Sequence, residues 1–317
     1  MEKNSRSLLG ILAVGLILGA IVSGNSNAGA APSNANIEVL LNSKKISFPD
    51  AKPFQDKQGS VMVPIRFVSQ ALGADIGYGK ENGVTKVVVK DEKNLVEMTV
   101  GQTSALVNHK TKNYGTKIVL KNGRTYVPLR LVGEGLGQKV EWDKVSRWVW
   151  IGDKSLHTLE ELGVKKESID PYKPWFKNKE YLLKNLKDEE YKNVMIFRES
   201  SLPIALLRDT LGIEPYQDPK TKNIYLKIRS KTTATAGPIF YLTSKKDIRY
   251  RYPLDQMTIK NDDGTRYSFY KIWSSADKTL DGIVDKVTLS LKDIEYIGFR
   301  GASEEYIPLM INPWKGK

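Results

Sequence analysis

Apolar side chains recur at i, i+3 and i+7 in two short stretches, Ile65, Val68 and Leu72 in the first and Leu129, Val132 and Leu136 in the second. That is the spacing of one helix face. A proline opens each stretch (Pro64, Pro128), where its missing N–H costs nothing, and a glycine closes each nine positions later (Gly73, Gly137), where a left-handed cap forms. Helices this short, the second with Gly133 and Gly135 inside it, do not stand alone in water and must lie on an apolar surface. β-Branched and aromatic runs at 86–89 and 147–151 supply that surface. The predicted unit is a strand, a short helix and a hairpin, and it recurs. A worn third copy reads at 202–212. Pro203 opens it, Gly212 closes it, Ile204, Leu207 and Leu211 form its face, and 224–228 is its strand. It has Ala205 where the others carry Arg66 and Arg130.

Around these units the pattern is strand-like. Hairpins are predicted at 37–48, at 95–107 split by Gly101, and at 117–127, where Asn122–Gly123 is a strong turn signal. Alternating strands with one helix per repeat read as α+β, with antiparallel sheets each packed on a short helix in repeated units. Residues 155–190 change character. Leu156, Leu159 and Leu162 sit at helical spacing, Gly163 interrupts, Asp170–Pro171 and Lys173–Pro174 break the chain, and a second helical run follows at 181–186. This predicts a helical connector. From Thr232 onward strands are expected at 239–242, 257–260 and 265–273, and Val287, Leu289 and Leu291 alternate with polar residues as in a half-buried strand. The expected organisation is therefore 1–30 signal peptide, 31–154 two-repeat domain, 155–190 connector, 191–231 degenerate third repeat, and 232–317 β-rich C-terminal domain, a small sandwich or sheet extension.

The signal reading rests on Lys3 and Arg6 ahead of an uncharged apolar run from Leu8 to Val22, then Ala28–Gly29–Ala30 as a small-residue cleavage site before Ala31. The run suits a signal segment better than a membrane span of about 20 residues, so no span is expected after cleavage; an uncleaved N-terminal anchor is the other reading. The sequence has no cysteine, hence neither a disulfide nor a lipidated cysteine. Its net charge is +13, close to +12 after cleavage. On an exported chain such an excess favours anionic wall polymers, acidic glycans or lipid head groups, unless it is simply a lysine-rich solvated surface. Nucleic acid is not an expected partner outside the cell.

Residues 127–130, 136–137 and 141–143, preceded by Met98–Thr99–Val100–Gly101 and Ala105–Leu106–Val107–Asn108, resemble the copper amine oxidase N-terminal-like (stalk) domain, a module of many exported proteins of Gram-positive bacteria. The resemblance covers roughly 37–153. It implies a small antiparallel sheet wrapped on a helix, with no catalytic role of its own, and structural motif positions at Pro64, Arg66, Gly73, Pro128, Arg130, Gly137, Trp142 and Asp143, with Pro203 and Gly212 in the worn copy.

The candidate chemistry is thin. His109 and His157 have no ligand spacing to a second histidine or a cysteine, and Asn113–Tyr114 is followed by Gly115, so the residues argue against copper and against a tyrosine-derived cofactor. No nucleophile elbow, phosphate loop or dinucleotide turn is present, and Glu189–Glu190 and Glu304–Glu305, as adjacent acids, diverge. A cation in the first turn opposes the helix dipole, so Arg66 is expected to pair with Asp75, and Arg130 with Glu134, Glu141 or Asp143, unless these arginines bind a ligand. Trp142, Trp148, Trp150 and Trp175 read as packing or as a glycan-stacking platform. Asp277, Asp281 and Asp285, with Gly282 at the sixth position, resemble an extracellular calcium loop; the other reading is an acidic β-turn. The expectation is an exported, non-enzymatic binding or structural protein of the cell envelope, secreted or wall-associated, contacting anionic polymers or glycans. The other classes are a wall-glycan-active enzyme and an adaptor for another envelope protein through the C-terminal part.

Overall fold

Strand pairing starts from the two proline-bearing segments. In the computed structural model, which describes residues 37–206, 209–231, 237–274 and 289–316, Val61–Pro64 and Arg124–Pro128 lie antiparallel, with Val63 opposite Val127 and Met62 opposite Pro128. Each strand runs directly into its helix, α1 (Ile65–Ala71) and α2 (Leu129–Gly135). Phe54–Gln55 and Val119–Lys121 flank the pair. A five-stranded meander follows from Asp75–Glu81 to Lys110–Asn113. A further sheet orders Val140–Asp143, Trp148–Ile151, Glu38–Leu41 and Lys44–Lys45, with Glu38–Leu41 parallel to Trp148–Ile151. These sheets and helices share one apolar core that includes Val63, Val68, Val96, Val127, Val132 and Val149. The glycines of α2 are there for close approach: a Cβ on Gly133 would lie 2.3 Å from Val140 Cγ2, and one on Gly135 2.8 Å from Val96 Cγ2.

The remainder is built from two more sheets. One orders Thr210–Gln217, Ile224–Ser230, Arg266–Lys271 and Ile259–Lys260; the other orders Lys166–Ser168, Asn193–Phe197, Tyr306–Ile311, Ile294–Phe299, Ile239–Thr243 and Ile248–Arg251. Period-two alternation divides the work of Ile239–Thr243. Tyr241 joins Leu226, Ile228 and Tyr270 in a core between the sheets, while Phe240 and Leu242 join Trp175, Phe176 and Leu182 on the opposite face. The molecule is β-rich throughout, with several antiparallel sheets.

Three expectations are corrected here. The connector is not α-helical: it contains the strand Lys166–Ser168 and the 3₁₀ turns Asp170–Phe176 and Glu180–Leu183, which cover the outer face of the six-stranded sheet. Pro171 and Pro174 remove the donors an α-helix needs there. Among the described residues the third copy is not a strand–helix unit either, its Leu207 lying outside them. Gly212 sits at an irregularity in the strand Thr210–Gln217, which pairs with Ile224–Ser230, and Pro203 lies ahead of the Ile204 bridge, outside any helix. Finally, Leu291 belongs to a 3₁₀ turn capped by Ser290, and Leu289 is buried outside any strand. Val287, and the candidate calcium ligands Asp277, Asp281 and Asp285, lie outside the described residues, as does the expected signal segment.

The two-helix part and the rest of the described chain are joined through side chains. Leu211 packs with Leu40, Trp148, Trp150 and Leu156. Beside them Arg229, 5% exposed, reaches Asp143 at 3.2 Å and Asp263 at 2.6 Å, and donates from Nε to the Thr265 hydroxyl at 3.1 Å.

Candidate functional site: twin arginine–aromatic clefts

The start of each helix opens onto a cleft. The first, about 220 Å³, is lined by Pro64, Ile65, Arg66, Tyr78, Thr85 and the Gly123–Arg124–Thr125 turn, together with Phe67 and Leu120. The second, about 270 Å³, is lined by Pro128, Leu129, Arg130, Trp142, Val149 and the Gly59–Ser60–Val61 turn, together with Gln58, Tyr114, Val140 and Glu141. Eight lining positions correspond one to one, each pair 64 positions apart as Pro64 and Pro128 are. The correspondence crosses over, because the central strands are antiparallel: each cleft takes its arginine and aromatic ring from one unit and its glycine turn from the hairpin of the other.

The two arginines are held differently. Arg66 forms no ion pair with Asp75 or any other acid among the described residues; its guanidinium lines the same cleft as the Tyr78 phenol, and partial burial pushes that phenol above its ordinary value of 10.0 against the arginine's pull. The expected Asp75 pair fails because Asp75 is exposed at the start of its strand, with Tyr78 three residues further along nearer the guanidinium. Arg124 in the same cleft is paired with Asp50. Arg130 meets Glu134 at 3.4 Å, and its side chain is 69% exposed. Glu141 is instead held down at about 2 by hydrogen bonds from Lys139 and Lys154. The arrangement offers a cation and a ring at one cleft mouth, a pairing suited to a ligand that carries both an anionic or hydroxyl group and an apolar ring face.

Of the four tryptophans read as a glycan platform, only Trp142 reaches a cleft. Trp148 and Trp150 are buried against each other, ring centroids 5.7 Å apart, beneath Leu211. Trp175 is buried as well, donating from Nε1 to the Thr243 carbonyl at 2.7 Å with Lys246 over its ring. Their apolar faces are consumed by packing, which removes them from the candidate glycan contacts. Gly73 and Gly137 close the helices with φ of 70° and 74°. Asp143 turns away from Arg130 and binds Arg229. Tyr78 was missed by the sequence reading, although the shift of 64 that places it opposite Trp142 is visible in the chain once Pro64 is aligned with Pro128.

This geometry coincides with a recognised segment. Residues 40–151 match the copper amine oxidase N-terminal domain. The domain so matched holds both clefts and both helices. No curated protein and no solved structure matches the chain. His157 Nε2 is hydrogen-bonded to the Asn42 carbonyl oxygen at 2.9 Å, and its Nδ1 lies 3.8 Å from Glu161. Among the described residues no three His, Asp or Glu side chains converge to hold a metal ion. The paired glutamates are spread as well: Glu304 binds Lys187, Glu305 binds Lys166, and Glu189 accepts from Asn185.

Proposed function

We propose that this chain is an exported, non-enzymatic binding protein of the cell envelope, retained at the wall or secreted, and that it contacts anionic wall polymers or glycans through the Arg66 and Arg130 clefts. The observation that carries this reading is that Arg66, in the first turn of α1, is spent on no ion pair among the described residues and instead stands exposed beside Tyr78 at a cleft mouth. The net charge of +13 favours the same class of partner by long-range attraction. In this reading the two strand–helix units are repeats that duplicate one binding cleft, and residues 155–317 form a β-rich module behind them.

The test is a pull-down on purified walls, with and without teichoic acid, over a salt series. Retention by screened attraction falls steeply once the Debye length drops below about 8 Å, and should fall further in an Arg66→Gln/Arg130→Gln variant. Salt-resistant binding lost in Trp142→Ala would assign the neutral glycan instead. Absence of wall binding at every salt concentration overturns the proposal and leaves a protein-binding adaptor.

A further inference from the structure

Four arginines are buried in the C-terminal sheets, and three of them are fully accounted for. Arg229 has Asp143, Asp263 and Thr265. Arg249 is paired with Asp247 at 2.9 Å. Arg251 donates to the carbonyls of Tyr250, Lys271 and Ile272, each at 2.8 Å. Arg266 is the exception. It is 7% exposed, its Nε–H is sealed from solvent without a hydrogen-bond partner, and it forms no ion pair among the described residues.

Its neighbours share the deficit. Ser230 stands directly opposite Arg266 in the ladder, and Ser268 is two residues on, on the same face of the same strand. Both are buried, and both hydroxyls lack partners. This face is the inner one, since Ile228 and Tyr270 beside them belong to the core between the sheets. Thr210, opposite Ser230 on the other side, is satisfied by the Leu206 carbonyl. At the far side of the row Lys260, opposite Arg266, is exposed at the sheet edge.

A cation's Nε–H sealed from water without a partner is costly, and unsatisfied hydroxyls add to the cost. Three such groups in one patch share a single complement. All can donate, and one is a cation, so the missing partner is a compact acceptor with negative charge and several lone pairs. We propose that Arg266, Ser230 and Ser268 form a binding site for a small oxyanion, a carboxylate or a phosphate group, entering past Lys260. The site stands apart from the two clefts and does not depend on the envelope reading.

The test measures the melting temperature of the full chain at pH 7 and matched ionic strength in chloride, acetate and inorganic phosphate. A saturable rise in acetate or phosphate over chloride is expected, because a ligand that binds only the folded state stabilises it by mass action; which anion acts separates the carboxylate from the phosphate. Ser268→Ala, which removes only a hydroxyl, should keep the parent's melting temperature in chloride and weaken the anion's apparent affinity roughly tenfold. Arg266→Met should abolish the rise without lowering the melting temperature in chloride, since it deletes an unpaired charge. Identical melting in all three salts overturns the proposal. So does a rise that persists undiminished in Ser268→Ala and Arg266→Met, or an Arg266→Met variant that melts far below the parent in chloride, which would show a guanidinium already satisfied.

Discussion

Asp143 illustrates how a residue acquires its role from distant chain. Its carboxylate caps its own turn, accepting from the Val145 and Ser146 backbone, and its other oxygen meets Arg229 from a strand more than 80 residues away. Arg229→Leu should therefore cost about 3 kcal/mol in urea denaturation, less than for a fully sealed network because Asp263 is one-third exposed and screened. Burial works against ionising Asp263, but hydrogen bonds from Thr265 and the Arg229 guanidinium outweigh it and hold the carboxyl below its ordinary 3.8. A carboxyl depressed in the folded state contributes stability above 3.8 that disappears as pH falls through the folded value, so the parent should lose stability more steeply on acidification than Arg229→Leu. Glu38 has the opposite sign. Burial raises it above 4.5 despite Lys45, so its contribution is present below 4.5 and lost as pH rises through the folded value. Glu38→Gln is expected to raise the melting temperature at pH 7 and to give no gain below about pH 4.

At the scale of the element, the two helices make a matched experiment, since Gly133 of α2 occupies the place that Ser69 holds in α1. Helix propensity alone favours Gly133→Ala by about 1 kcal/mol. The added Cβ would, however, lie 2.3 Å from Val140 Cγ2, a methyl on a β-branched side chain with little freedom to move. The net outcome is a loss of about 1–3 kcal/mol, read by thermal denaturation. Ser69→Ala should be neutral or slightly stabilising, because the Ser69 hydroxyl is buried without a partner. The sequence marks Gly133 only as a weak point in a short helix; that it is the contact point with Val140 depends on how close the helix sits to a strand five residues beyond its last turn.

At the scale of the whole molecule, Leu211 ties the two-helix domain to the following sheets by closing over Trp148 and Trp150. Leu211→Ala is expected to cost about 2–4 kcal/mol and to shift tryptophan emission to the red as water reaches the two indoles. An isolated 37–154 fragment leaves the same rings wet, so it should show red-shifted emission relative to the full chain. If the emission of Leu211→Ala matches the parent's, the rings are shielded by something other than this leucine.

The sequence by itself determined the two strand–helix units, the hairpin at Asn122–Gly123 and the domain that residues 40–151 match, because these rest on marks within about a dozen residues: a proline at the first turn, an apolar face, a left-handed glycine. The same three marks at 202–212 predicted a helix, and among the described residues there the chain forms none. There Thr210–Gln217 gains a ladder with Ile224–Ser230 and Leu211 gains the face of two tryptophans, and together these outweigh a one-turn nucleus that is costly on its own. Tertiary structure likewise decided which aromatic rings are free, since Trp142 and Trp148 are alike in composition and differ only in what covers them. It decided which arginines are satisfied as well: Arg229 and Arg266 both point from strands of one sheet, and only Arg229 meets acids, which come from a turn and from another domain that no local pattern connects to it.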